Sequence, residues 1–151
     1  MIHIRHKGEA TAPIEIVFAY LDDHTTVPDW MFGISTFTPV GEFTDGIGAQ
    51  FDSVMKVGPA TFESRLEVTE WVENETIELS SLSGTVTTST WRVTAISDTV
   101  TELDVDFGYS LGNSLAAKAL NRVVEPVIGT AIKTTEENLR RNVEEIYARS
   151  R

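Results

Sequence analysis

The 151-residue chain contains no cysteine, which excludes disulfide bonds and thiolate chemistry. It also lacks any uninterrupted apolar run that approaches the roughly 18 residues of a membrane-spanning helix. The opening segment MIHIRHKGEA carries charges and has none of the apolar stretch of a signal peptide. These absences predict a cytoplasmic protein with no integral membrane association.

Basic residues are few, with 12 Lys and Arg against 23 Asp and Glu and a formal net charge of -11. Such a charge repels phosphate backbones, so we expect no nucleic-acid partner. Histidine is scarce as well. His3 and His6 point to opposite faces of a predicted strand and His24 lies in a distant loop, so no metal site is predicted. The glycines of residues 45–48 lack the ending of a phosphate-binding loop, and no cofactor is predicted.

The segment Thr11–Trp30 predicts two short helices. Pro13 suits the first position of a helix, and one apolar stripe follows at spacings of three and four residues: Ile14, Val17, Phe18 and Leu21. Thr26 and Asp29 imitate a capping box, which predicts a second short helix that carries Trp30 inward. Trp30 then either fills the core or forms the wall of a pocket.

After Trp30 the pattern changes from helical to alternating. Residues 34–43 are interrupted by Pro39, which an edge strand tolerates. The first strand turns Ile2, Ile4, His6, Gly8 and Ala10 inward. The later inward sets are Phe51, Ser53, Met55 and Val57; Phe62, Ser64, Leu66 and Val68; Ile77, Leu79 and Ser81; Ser89, Trp91 and Val93; Leu103, Val105, Phe107 and Tyr109. Each strand has one polar face, which predicts an antiparallel sheet with one side in water.

The last part of the chain predicts a helix over residues 115–148, with Ser114 as its cap. Its apolar stripe comprises Val124, Ile128, Ile132, Thr135, Leu139, Val143 and Ile146. Pro126 predicts either a kink or the start of the main helix after a shorter segment. The long part spans about 25 residues, or roughly 37 Å, which is enough to cross a sheet. The fold class is therefore α+β in two layers.

The order of these elements, with Ala12-Pro13, Val17-Phe18, Leu21, Asp22, Trp30 and Glu125-Pro126, resembles the SRPBCC superfamily. That superfamily includes START-related lipid-binding domains, polyketide cyclase/dehydrase proteins and pollen-allergen-like proteins. The resemblance implies a helix-grip fold over residues 1–151 as one ligand-binding domain. In that fold a curved seven-stranded antiparallel sheet wraps a long C-terminal helix, two short helices lie between strands 1 and 2, and a hydrophobic cavity remains inside.

Small hydroxyl side chains interrupt the inward apolar faces, which leaves volume and hydrogen bonds for an amphipathic ligand. They are Ser53, Ser64, Ser81, Thr87, Ser89 and Thr135. The alternative is that each hydroxyl bonds nearby backbone. Tyr109 could present its phenol to a ligand or to solvent, and His6 is more often structural than catalytic. The candidate ligand-binding residues are Phe18, Trp30, Phe51, Met55, Phe62, Ser64, Leu66, Leu79, Ser81, Ser89, Trp91, Phe107, Tyr109, Val124, Ile128, Ile132 and Thr135.

Three functions follow from this interpretation. The first is binding or transport of a hydrophobic or amphipathic small molecule, such as a lipid, isoprenoid, quinone or polyketide, in an internal cavity between the sheet and the C-terminal helix. The second is a polyketide cyclase, aromatase or dehydratase that uses the same cavity. The third is a protein-interaction module, which a fully packed interior would favour. Arg5, Arg65 and Arg92 point outward by alternation, so binding is preferred over catalysis. Both a monomer and a homodimer fit the sequence.

Overall fold

The computed structural model describes residues 1–151, which form one seven-stranded sheet and a long C-terminal helix. The strands are β1 (Ile2–Ala10), β2 (Ile34–Pro39), β3 (Gln50–Val57), β4 (Ala60–Val72), β5 (Thr76–Gly84), β6 (Val86–Ala95) and β7 (Thr101–Ser110). The helices are α1 (Ile14–Asp22), a 3-10 helix (His24–Asp29) and α2 (Leu115–Ser150). The predicted sheet, the two short helices after the first strand and the final helix are all confirmed.

Strands β2 to β7 form a meander, and β1 pairs with β7 at the far edge. The order is β1-β7-β6-β5-β4-β3-β2, and every neighbouring pair is antiparallel. Pro39 is the last residue of β2, which lies at the edge of the sheet. One side of an edge strand forms no ladder hydrogen bonds, so a residue without an N–H is tolerated there, as the sequence predicts.

Most of the predicted inward residues meet in one hydrophobic core beneath α2, and Phe51 and Val68 form a second, smaller cluster with Ala49. In β1 the inward positions are more buried than their neighbours at every step, and β7 alternates in the same way as far as Phe107. Trp30, carried by the 3-10 helix, packs edge-on against Trp91 of β6 with ring centroids 5.6 Å apart. Burial of an apolar side chain of this kind contributes about 1.5–3 kcal/mol, so this contact helps to hold the 3-10 helix on the sheet.

The capping predicted for the N-terminal helices is wrong in detail. Pro13 is the N-cap of α1 and not its first helical residue. The 3-10 helix is capped by Asp23, whose carboxylate accepts from the Thr25 backbone N–H at 3.0 Å. Hydrogen bonding from Thr25 lowers the pKa of Asp23. Thr26 instead accepts from Trp30 Nε1 at 3.0 Å and donates to the Tyr20 carbonyl, so its hydroxyl orients the tryptophan.

The prediction for α2 is confirmed in its extent and its cap. Ser114 Oγ accepts from the Ala117 N–H at 3.0 Å. Pro126 lies inside one uninterrupted helix on its exposed side, so water can satisfy the carbonyl that loses its partner. Ile146 is a correction, because its exposed fraction of 37% ends the buried stripe at Val143. No helix in the structure combines the length and the apolar character that crossing a membrane requires.

Candidate functional site

Two small cavities lie side by side beneath α2 and the 3-10 helix. Cavity 1 has a volume of about 50 Å³ and cavity 2 about 70 Å³, and 11 of the 16 residues that line each are hydrophobic. Their shared wall consists of Met31, Leu66, Leu79, Ser89 and Trp91. At roughly 10–15 Å³ of such space per water, each could hold a handful of water molecules. The interior is therefore not fully packed.

Cavity 1 lies between the inward faces of β3–β7 and one face of α2. Ten of the sequence-predicted residues line it: Met55, Phe62, Ser64, Leu66, Leu79, Ser89, Trp91, Phe107, Ile132 and Thr135. Sequence reasoning did not assign Met31, Phe32 and Ala131 to a site. Met31 and Phe32 follow the 3-10 helix, where no periodicity indicates which side chains turn inward. Ala131 falls one residue before Ile132 on the same stretch of helix.

The hydroxyls around cavity 1 divide into two groups. Ser64 Oγ donates to the Thr85 carbonyl at 2.8 Å, and Thr135 Oγ1 accepts from the Phe32 N–H at 3.0 Å. The hydroxyls of Ser53, Thr87 and Ser89 have no hydrogen-bond partner within the protein. Because no enclosed side-chain polar atom lacks a partner, these three oxygens are exposed to the cavity or to solvent, and Ser53 also borders an open groove beside Asp52 and Arg65. They can donate to or accept from a bound molecule.

Cavity 2 lies under the 3-10 helix and the loop between β2 and β3. Trp30 and Phe51 line it, together with the shared Leu66, Leu79, Ser89 and Trp91. Two ionisable residues that sequence reasoning missed also line it, Asp22 and His24. The missed signal is spacing: Asp22 comes four residues after Phe18 and so falls on the buried side of α1.

The two ionisable side chains of cavity 2, Asp22 and His24, each contact an aromatic neighbour. Asp22 Oδ1 accepts from Trp71 Nε1 at 2.9 Å. Burial raises the pKa of Asp22, the Trp71 bond opposes the rise, and the negative charges of Asp45, Asp23 and Glu73 add to it. The His24 ring lies against Phe51 with centroids 5.6 Å apart. The cavity thus presents one carboxylate, one imidazole and the hydroxyls of Thr44 and Ser89 in a mainly apolar wall.

The structure places five of the predicted residues outside both cavities: Phe18, Ser81, Tyr109, Val124 and Ile128. Phe18 packs edge-on against Trp71, and Ser81 Oγ accepts from the Thr87 N–H at 3.1 Å. Val124 and Ile128 are buried core residues because α2 packs directly on the sheet there. The buried Tyr109 donates its hydroxyl to Asn121 Oδ1. Burial and the nearby Glu125 raise the pKa of Tyr109.

His6 contacts neither cavity and is part of a polar cluster between β1 and α2. Its Nε2 lies 2.9 Å from Oε1 of Glu136, a glutamate with no exposed surface. Arg140 donates to both carboxylate oxygens, from Nε at 3.1 Å and from Nη2 at 3.0 Å. His6 is structural here, which is the interpretation that the sequence favoured. Glu136 itself was missed because its helix position follows the apolar stripe by one residue.

Comparison with known families and structures now identifies the group. Residues 1–144 match the sequence profile of the family described as polyketide cyclase / dehydrase and lipid transport. The chain belongs to this family. The match confirms the resemblance to the SRPBCC superfamily. A search of curated protein sequences finds no match.

Solved structures show the same fold for this polyketide cyclase/dehydrase-family protein. A protein from Thermus thermophilus superposes with a TM-score of 0.80 at 16% identity, covering 94% of this chain and 97% of that one. The Zhui aromatase/cyclase from a Streptomyces species gives 0.75 at 16% identity, with 95% and 93% coverage. A START superfamily protein from Mycobacterium smegmatis gives 0.66 at 15% identity, with 99% of each chain covered. The fold is the helix-grip.

Charge distinguishes the two cavities of this family member from its surface. No Lys or Arg lines either cavity, and Arg5, Arg65 and Arg92 are exposed on the outer face of the sheet. No group of three or more His, Asp or Glu residues is placed to hold a metal ion. What the cavities offer is apolar surface, free hydroxyls, one carboxylate and one imidazole.

Proposed function

We propose that this protein binds a small apolar molecule with polar substituents in cavities 1 and 2. The observation that carries the proposal is the pair of adjoining apolar cavities with three unpartnered hydroxyls. These oxygens are not sealed in the core, where an unmade hydrogen bond would cost about 1–3 kcal/mol, so they are open to a partner from outside the protein. A few polar groups in a mainly apolar wall are typical of small-molecule sites.

The walls can adapt to a guest larger than the empty volume. Met31 is part of the partition between the cavities, and Met55 lines cavity 1. Methionine is unbranched and flexible, so its side chain can swing aside where a branched residue would clash. Rotation of Met31 would join the two cavities into one. The guest then occupies both cavities and touches Ser89 where they join and Ser53 and Thr87 in cavity 1.

A binding assay with a neutral fluorescent probe, N-phenyl-1-naphthylamine, tests the proposal. Its fluorescence should rise on addition of the protein and fall when an apolar competitor is added. Ala131→Leu should reduce probe binding by about tenfold or more, because the larger side chain fills cavity 1. Ala119→Leu makes the same change on the exposed side of α2 and should leave binding unchanged. Absence of probe binding to the unaltered protein, or equal binding by both variants, would contradict the proposal.

Native mass spectrometry of the freshly purified protein provides an independent test. A bound apolar molecule should appear as an added mass that organic extraction removes. Lipid, isoprenoid, quinone and polyketide standards can then be screened against the extracted protein. The cavity walls do not favour one of these skeletons, so the screen assigns the ligand class.

A polyketide cyclase-like enzyme is the second candidate, favoured by the Asp22 carboxylate and the His24 imidazole in the wall of cavity 2. Ring closure of a poly-β-ketone needs proton transfers, and these are the side chains that supply them. A poly-β-ketone thioester analogue, followed by chromatography and mass spectrometry, should give a cyclised or dehydrated product. His24→Gln should abolish it and His3→Gln on the outer face should not. No product from the unaltered protein would leave binding as the function.

A further inference from the structure

We infer that Asp22 selects the guest by charge, so that the protein binds apolar alcohols and amines in preference to carboxylic acids of the same chain length. The inference rests on the proposed binding function and concerns the chemistry of the guest's polar end in cavity 2. It follows from three features of the structure: the carboxylate oxygen of Asp22 that has no partner, the negative sign of the surrounding charges, and the ability of the other polar groups to donate as well as accept hydrogen bonds.

Asp22 is the last residue of α1 and lines cavity 2. One carboxylate oxygen, Oδ1, accepts from Trp71 Nε1, and the other has no hydrogen-bond partner within the protein. No Lys or Arg forms an ion pair with it. An ionised carboxylate only accepts hydrogen bonds, so a molecule that contacts the free oxygen must bring a donor. Hydroxyl and ammonium groups are donors, whereas a carboxylate is not.

The surroundings of Asp22 reinforce this selection. Asp23, Asp45 and Glu73 lie close enough to act on its charge, and all three are negative. A guest carboxylate would add another negative charge beside an unpaired one, and the two like charges would repel each other at this half-buried position. A guest ammonium would instead pair with Asp22, and a hydroxyl would donate to it without any charge of its own.

The other polar groups of the two cavities do not discriminate in this way. Ser53, Thr87 and Ser89 can either donate or accept, so they accommodate both kinds of polar end. His24 also lines cavity 2, and an imidazole ring can offer both a donor and an acceptor nitrogen. Discrimination against anions therefore falls to Asp22.

Competition with three ten-carbon compounds tests the inference at about pH 8. Each of 1-decanol, decylamine and decanoate is titrated against the protein loaded with N-phenyl-1-naphthylamine, the alcohol below its solubility limit and the two ionic compounds below their micelle concentrations. The alcohol and the amine should displace the probe at concentrations about tenfold or more below that of decanoate. In Asp22→Asn the advantage of decylamine over decanoate should fall to less than about threefold, because the amide carries no charge.

Asp98→Asn is the matched control, since it removes the same charge from an exposed turn between β6 and β7. It should keep the full preference of the unaltered protein. Equal displacement by the three compounds, or a preference that survives in Asp22→Asn, would overturn the inference while leaving the binding function intact. Failure of the probe itself to bind would remove the binding function and the inference with it.

Discussion

Gly8→Ala should be among the more destabilising single-methyl additions to this protein. Gly8 lies in β1 directly over the buried carboxylate of Glu136. A Cβ at this position would stand 2.5 Å from Oε1, 2.6 Å from Oε2 and 2.7 Å from Cδ. These distances are far inside van der Waals contact, so the carboxylate or the strand must move. Glycine is required here by a close approach and not by a special backbone angle.

The size of the effect follows from how Glu136 is held. His6 Nε2 lies 2.9 Å from its Oε1, and Arg140 donates to both of its oxygens. Displacement of the carboxylate lengthens these bonds around a charge that has no exposed surface. Overpacking costs about 1–3 kcal/mol, and breaking a buried pair outright costs about 3–5 kcal/mol. A gain of about 0.4–1 kcal/mol from the stiffer unfolded chain offsets part of this. We expect a net loss of about 2–3 kcal/mol.

Urea unfolding followed by circular dichroism measures this loss, with thermal unfolding as a second readout. For a chain of this size a loss of about 2–3 kcal/mol corresponds to a fall in melting temperature of about 4–12 °C. The control is Gly129→Ala in α2, where an added Cβ has no neighbour within 4 Å. It should stabilise by about 0.5–1 kcal/mol. In a Glu136→Ala background the same change at Gly8 should cost under about 1 kcal/mol. A Gly8→Ala protein as stable as the original would refute the argument.

Three further predictions concern single residues. Gly84→Ala should cost more than about 2 kcal/mol in urea unfolding, because φ is +83° and the added Cβ would overlap the Glu63 carbonyl oxygen. Tyr109→Phe should lose about 1 kcal/mol with its bond to Asn121, yet leave probe binding unchanged, since Tyr109 lines neither cavity. Burial raises the pKa of Asp22, so its favourable contribution is present below the unfolded pKa of 3.8 and is lost as the pH rises through the folded pKa. The free energy of unfolding of Asp22→Asn, measured relative to that of the original protein, should therefore increase as the pH rises from about 3 to about 7. The increase should be less than about 1 kcal/mol because the Asp22 side chain is half-exposed. A constant difference across that range would contradict the last prediction.

The fold could be predicted because each of its elements depends on a local period. Alternation places Phe51, Phe62 and Phe107 on one face, and pairing of the strands brings those faces together. The stripe of α2 matches that face from Val124 to Val143. The caps were harder. Thr26 and Asp23 both have oxygens that could cap the 3-10 helix. The hydroxyl oxygen of Thr26 accepts from the indole N–H of Trp30, and the cap is therefore Asp23.

The candidate site was predictable only where it shares the period of the core. Alternation predicts which strand residues face inward. The same inward-facing residues line cavity 1, because the cavity is a part of the core that side chains do not fill. The exceptions come from irregular segments. Met31 and Phe32 lie in the connection to β2, and His24 lies at the start of a 3-10 helix. Val124 and Ile128 show the opposite error, since a periodic pattern does not indicate where helix and sheet separate.

The two sides of α2 explain why the cavities lie where they do. Thr135 and Glu136 are neighbours in sequence but face different parts of the sheet. Glu136 fastens the helix to β1 through His6, and Arg140 of the same helix donates to both oxygens of this buried carboxylate. Thr135 faces cavity 1 and makes a single bond to the Phe32 N–H. Further along, Asn138 and Asn142 of α2 donate to the carbonyls of Trp30 and Asp29. The bond between Thr135 and Phe32 is the one whose two residues both line cavity 1, so its opening would widen the gap at the cavity. We therefore expect a guest to enter between Phe32 and α2.

Thr135→Val removes the bond to Phe32 while keeping the shape of the side chain. This variant should accelerate probe association and leave the contact between His6 and Glu136 at β1 unchanged. An unchanged association rate would show that the entrance lies elsewhere.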